Sequence, residues 1–261
     1  MTGVLAFGAI ASSALVLGAL VGAWVTLPKR VLAAMLAFAA GALITALAFE
    51  LFEESYERGG LWRAAGGLAV GAIVFTALSA RLDAAARAGT ADRADDPGSD
   101  KLDIDAAAEE EAPSGASARG AAGLALLAAV TLDGVPENVA LGVSITEGTG
   151  GLALLAAIFV SNFPEALVGA ASMRAQGRSR AWTVGLWTVC GIVLTSAVVL
   201  GAGPLSQTSG ETISLPLAFA AGAVLASLAD TLMPEAYEQG GPVVALSTTA
   251  GFLLSFVLSL A

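Results

Sequence analysis

Long apolar runs recur along nearly the whole chain, separated by short polar breaks. A hydrocarbon core about 30 Å thick takes roughly 20 helical residues to cross. The pattern predicts helices at 3–25, 31–52, 61–80, 120–146, 151–173, 181–202, 216–236 and 242–260. The expected fold is therefore an all-α polytopic membrane protein with eight transmembrane helices. The first run exceeds the apolar stretch of a signal peptide, and Lys29 and Arg30 follow it instead of preceding it, so it reads as a retained span.

One stretch breaks the pattern. Residues 81–119 hold ten acidic and five basic side chains and almost no large apolar ones. Such a segment buries too little surface to offset its ordering entropy, and it is expected to be a disordered acidic loop. The chain then divides into helices one to three (1–80), the loop (81–119), a central helix pair (120–173) and helices six to eight (174–261). Cations set the orientation. Ten of the twelve Lys and Arg side chains fall after spans one, three and five, while Arg58 and Arg63 lie after span two. That bias places both termini outside and the acidic loop in the cytoplasm, with the cell membrane as the expected location. Trp24, Trp62 and Trp182 stand near span ends, where an aromatic belt would put them.

An internal repeat adds to this. Ala37–Gly60 reads AFAAGALITALAFELFEESYERGG and Ala218–Gly241 reads AFAAGAVLASLADTLMPEAYEQGG, identical at 14 of 24 positions. Span two runs outward and span seven inward in the expected topology, so the repeat is inverted: spans one to three mirror six to eight around spans four and five. Inverted repeats are a transporter architecture, with the binding site near the midplane.

Composition narrows the chemistry. Of 261 residues, 56% are hydrophobic and 13% charged, and the formal charge is −10. That argues against a soluble enzyme, and the sign of the charge argues against nucleic-acid binding. With no His and one Cys (Cys190, read as a packing residue), any site must use carboxylates, amides, hydroxyls and backbone carbonyls. No GxxxxGK[ST] loop is present to drive transport by nucleotide hydrolysis. Gly18-x-x-x-Gly22 and Gly67-x-x-x-Gly71 allow close helix packing and are compatible with a homodimer without requiring one.

The candidate site lies in spans four and five. Leu132-Asp133-Gly134-Val135-Pro136-Glu137-Asn138 and Ser161-Asn162-Phe163-Pro164-Glu165 each put Pro-Glu near the middle of an apolar run. A charged side chain there costs about 2.5–3.5 kcal/mol on insertion scales. Proline cannot donate a backbone hydrogen bond and displaces the carbonyl four residues earlier, so Pro136 and Pro164 loosen the helix beside each acid. Asp133 and Glu137 share a helix face, as do Ser161 and Glu165, with Asn162 alongside. A short connection makes the two helices antiparallel neighbours. The expected product is a buried oxygen cage of Asp133, Glu137, Ser161, Asn162 and Glu165, which a divalent cation would neutralise. Glu50 and Asp230 lie on either side of it as stations of a cation path, while Glu53, Glu54, Glu235 and Glu238 read as residues flanking loops.

The arrangement resembles the ZIP (Zrt/Irt-like) metal transporters, whose fourth span carries His-Asn-x-Pro-Glu-Gly and whose fifth carries a related proline motif. The likeness covers nearly all of the chain outside 81–119. It implies eight spans, extracytoplasmic termini and alternating-access movement of divalent metal ions such as Zn²⁺, Mn²⁺ or Fe²⁺, inward across the membrane. By that resemblance Glu137 and Glu165 match metal-binding glutamates, Asp133 takes the histidine position, and Ser161 and Asn162 take polar ligand positions. Gly134 replaces the motif's Asn, Asn138 its Gly, and span six lacks an acid, so one principal metal site is expected. An all-oxygen set suits Mn²⁺, Fe²⁺, Mg²⁺ or Ca²⁺ better than a site bearing His does. The metal is cargo, and no resident cofactor or enzymatic activity is expected. The competing readings are a non-transporting metal sensor or scaffold and an intramembrane metal-dependent hydrolase.

Overall fold

The computed structural model describes residues 2–25, 27–94, 127, 130–131, 134–146, 151–206 and 208–260. Every regular element among them is helical. In chain order these are α1 (Thr2–Trp24), α2 (Lys29–Thr45), α3 (Glu53–Ala94), α4 (134–146), α5 (Gly151–Ala175), α6 (Arg180–Leu200), α7 (Gly210–Ser227), α8 (Met233–Gly240) and α9 (Val243–Ser259). Short π-helical segments continue α2 (Ala46–Phe52), α6 (Gly201–Leu205) and α7 (Leu228–Leu232).

Among the described residues, five stretches are long and apolar enough to cross a membrane: Gly3–Trp24, Lys29–Arg81, Gly151–Ala175, Arg180–Leu205 and Gly210–Glu238. Val243–Ser259 is a shorter apolar helix. The second stretch has 53 residues, about 80 Å if straight at 1.5 Å per residue, far more than one crossing needs. Gly60 divides it, with φ 72° and ψ 171°, a backbone position that a β-carbon disfavours. Gly241, with φ 58°, ends α8 in the same region of backbone space. Large apolar side chains such as Ile73, Ile192 and Leu246 are 61–74% exposed. Such faces would be a liability in water and are natural against hydrocarbon, and the helices are those of an integral membrane protein.

Helix α3 corrects one expectation. It continues to Ala94, so residues 81–94 are helical where the polar composition predicted disorder from residue 81. The reason is local. The segment ARLDAAARAGTADRA is rich in Ala and Arg, strong helix formers. The remainder of the expected acidic loop, 95–119, lies outside the described residues.

Close helix approach follows from small residues. Helix α3 packs most extensively on α7, α2 on α9, and α1 on α5 and α6. At the α2–α9 crossing, a β-carbon on Gly41 would overlap the Thr248 carbonyl oxygen, and one on Gly251 the Phe38 carbonyl oxygen. The α3–α7 crossing repeats this pattern, with Gly222 on the Leu68 carbonyl and Gly71 on the Phe219 carbonyl. Gly18 and Gly22 of α1 meet the carbonyls of Phe163 and Leu167 of α5 in a third close seam. Both GxxxG stretches thus serve packing inside the chain.

At one boundary, Arg180 lies over the Trp24 ring at 5.4 Å and Arg178 over the Trp182 ring at 4.8 Å. Near Gly60, Ser55 and Ser214 clasp the start of α7 to the chain. Each hydroxyl donates to the other's carbonyl oxygen at 2.8 Å, and both residues are fully buried.

Candidate metal site

Helices α4 and α5 contribute to the same two packing clusters, in an order that fits an antiparallel pair. Val130, before α4, packs with Ala166 and Ala170 near the end of α5. Ala140, Leu141 and Val143 of α4 pack with Leu154, Ala157 and Ile158 at its start. Glu137, Asn138, Ser161, Asn162 and Glu165 are all buried, none above 5% exposed. Two carboxylates at that depth are costly unless protonated, hydrogen-bonded or neutralised.

Pro136 and Pro164 both sit within helix, and Pro164 leaves the Val160 carbonyl without its usual backbone donor. Asn138 Nδ2 donates back to the Gly134 carbonyl at 2.8 Å, and Ser161 Oγ donates to the Ile158 carbonyl at 3.1 Å. Two amide atoms remain unsatisfied in the interior: Asn138 Oδ1 and Asn162 Nδ2. A buried polar atom with no partner costs about 1–3 kcal/mol, so both amides retain capacity for a ligand. An amide turned by 180° exchanges its oxygen and nitrogen, so Asn162 can offer either.

Asp133, the expected ligand in the histidine position, lies outside the described residues. Among the described residues, no group of three His, Cys, Asp or Glu side chains converges as a metal would require. What the described chain shows is that Glu137, Asn138, Ser161, Asn162 and Glu165 are all buried, on two helices whose apolar residues share the same packing clusters.

One acid that the sequence reading left at a loop flank belongs here. Glu165 and Val168 of α5 line a small cavity with Leu36 of α2, Thr231 and Leu232 of the π segment, and Glu235 of α8. A signal for it existed, since Met233-Pro234-Glu235 is a third Pro-Glu pair, after those in spans four and five. Pro234, which cannot bond the carbonyl of Asp230, stands two residues after the π-helical Leu228–Leu232.

The two outlying acids are placed differently. Asp230 accepts a hydrogen bond from Ser79 Oγ of α3 at 2.7 Å on an exposed face, and it does not line the cavity that Glu165 shares with Glu235. Glu50 is half-buried in the Ala46–Phe52 segment. One turn beyond it, Glu54 is held by Arg58, whose Nε donates to Oε1 at 2.6 Å. Glu53 is exposed. Cys190 is buried against Leu15, Ala19 and Trp187, as a packing residue would be. No protein-family model matches the chain, and no curated protein matches it.

Proposed function

We propose that the chain carries divalent metal ions across a membrane through a carboxylate site at mid-depth between α4 and α5. The observation that carries this reading is the burial of Glu137 and Glu165, each directly after a proline and each at most 5% exposed, on two helices that share their packing clusters. The unsatisfied Asn138 Oδ1 offers a further oxygen to an ion, and Asn162 offers one when its amide is turned so that the oxygen takes the unsatisfied place. Asp133 completes the ligand set in this reading. The all-oxygen character favours a hard cation such as Mn²⁺ over one that prefers imidazole.

The architecture in this reading is eight spans with an inverted repeat of three helices on either side of α4 and α5, similar to the ZIP transporters. Three features support it. The glycine–carbonyl crossings α2–α9 and α3–α7 repeat the same exchange of contacts. The π segments Ala46–Phe52 and Leu228–Leu232 stand at nearly matching places in the repeat. Gly60 and Gly241, which close the two aligned segments, share a positive φ. Rocking one bundle against the other would expose the acids to each side in turn. Glu235, on the cavity of Glu165, would receive the ion as it leaves toward the end of α8.

Calorimetric titration of the purified chain with Mn²⁺ and Zn²⁺ tests the site. Saturable binding in the wild type, lost in Glu137→Gln/Glu165→Gln with the fold intact, is the expected result. Unchanged affinity in the double variant would place the ion elsewhere and leave the two Pro-Glu pairs as helix kinks. Binding without flux in sealed vesicles would favour a sensor.

A further inference from the structure

The outer surface of the α2–α9 pair carries a groove that the transport reading does not use. Its walls are Arg30, Val31, Ala34, Met35 and Phe38 on α2 and Leu246, Ser247 and Ala250 on α9. Ala34 and Ala250 hollow the floor, while Val31 and Leu246 stand out as exposed apolar rims at 45% and 74%. The unbranched thioether of Met35 adapts to an irregular apolar guest. Arg30 and its neighbour Lys29 are both exposed at one end of the groove. Among the described residues neither makes a hydrogen bond or an ion pair.

We infer that this groove is a binding site for one anionic phospholipid, with its phosphate at Lys29 and Arg30 and an acyl chain lying along Met35, Phe38, Leu246 and Ala250. Two features fix the occupant. The first is charge: among the described residues the one ionised group in the wall is a cation, so the guest is apolar along its length and negative at one tip. The second is length. From Arg30 to Phe38 the helix rises about 12 Å, close to the depth of a single leaflet, half of a hydrocarbon core of about 30 Å. A guest anchored at the boundary by its head would reach the groove's far end with its chain. The boundary itself is marked nearby in the chain by Trp24, whose ring carries Arg180. The α3–α7 crossing offers a contrast, since its cation Arg63 is already held by Glu211 at 2.7 Å. Anion recognition is therefore expected at α2–α9 and not at α3–α7.

Native mass spectrometry of the full chain in detergent tests this, using dioleoylphosphatidylglycerol and dioleoylphosphatidylcholine as probes. The wild type should retain one phosphatidylglycerol in preference to phosphatidylcholine. A cation near an anionic headgroup is worth about five- to sixfold in affinity, so Lys29→Gln/Arg30→Gln should reduce the preference by about thirtyfold. Ala250→Phe, which fills the floor, should remove retention of both lipids. The Gln variant alters only exposed side chains, so it remains informative if the Phe variant does not fold. Equal retention of the two lipids, a preference that survives loss of both cations, or displacement by free glycerol phosphate would each overturn the inference. So would a dimer of this chain that excludes lipid from the groove.

Discussion

Replacing Ser214 by Ala removes one half of the clasp that joins the start of α7 to the chain before Gly60. In the native clasp, Ser214 Oγ donates to the Ser55 carbonyl and Ser55 Oγ to the Ser214 carbonyl, each at 2.8 Å. The hydroxyl oxygens are 3.1 Å apart, but each hydroxyl has one proton and both protons are spent on carbonyls. The clasp therefore contains two hydrogen bonds, and each single variant loses one. A net side-chain hydrogen bond is worth about 0.5–1.5 kcal/mol, and interhelical ones measured in a membrane protein average about 0.6 kcal/mol. Ser214→Ala and Ser55→Ala should each cost about 0.6–1 kcal/mol, with no orphaned hydroxyl left behind in the double variant. The double variant should cost close to the sum of the singles. Equilibrium unfolding in mixed micelles, run as a double-mutant cycle, measures this. A single substitution that costs more than about 3 kcal/mol would refute the account of two separable bonds, and so would a clasp whose removal costs nothing.

Other expectations are equally direct. Gly71→Leu and Gly222→Leu each drive a side chain into a facing backbone carbonyl and should abolish folded protein on expression gels. Gly66→Ala and Gly185→Ala, where a β-carbon meets nothing within 4 Å, should raise stability by about 0.5–1 kcal/mol in the same assay. Glu235→Gln should leave equilibrium metal binding near wild type while slowing vesicle uptake several-fold, since its carboxylate shares only the cavity beside Glu165; equal loss of binding and uptake would make it a ligand instead. Asp133→His should shift preference from Mn²⁺ toward Zn²⁺ in competition titrations, because imidazole is the softer ligand. In intact cells, Ser99→Cys in a Cys190→Ala background should resist an impermeant thiol reagent, as the cation bias requires.

Much of the fold was legible because lipid imposes a simple grammar: apolar runs of spanning length must be helices, and glycines at spacing four allow close crossings. Hence α1, α5, α6 and α9 lie close to where hydropathy alone would draw them. What the pattern could not show was partner choice. Nothing local in Ser55 or Ser214 announces the other, 159 residues away, and nothing around Asp230 announces Ser79. The helix through Ala94 is hidden for a different reason, since polar composition points to disorder while the Ala-rich start carries helix propensity. At the candidate site, burial of Glu137 and Glu165 follows from their place within apolar runs. Glu235 reads as a flanking residue from sequence because its Pro-Glu pair stands near the end of its span and not in the middle of an apolar run. Its relation to Glu165 depends on how α5 meets α8 in space, which no periodicity encodes.

The central claim is that Glu137 and Glu165 form the passage for a divalent cation. Uptake of radioactive Mn²⁺ into sealed proteoliposomes, compared between wild type and Glu137→Gln/Glu165→Gln, tests it most directly. The account predicts saturable uptake by the wild type and none above empty vesicles for the double variant, at equal amounts of folded protein. Wild-type uptake rates in the double variant would contradict it.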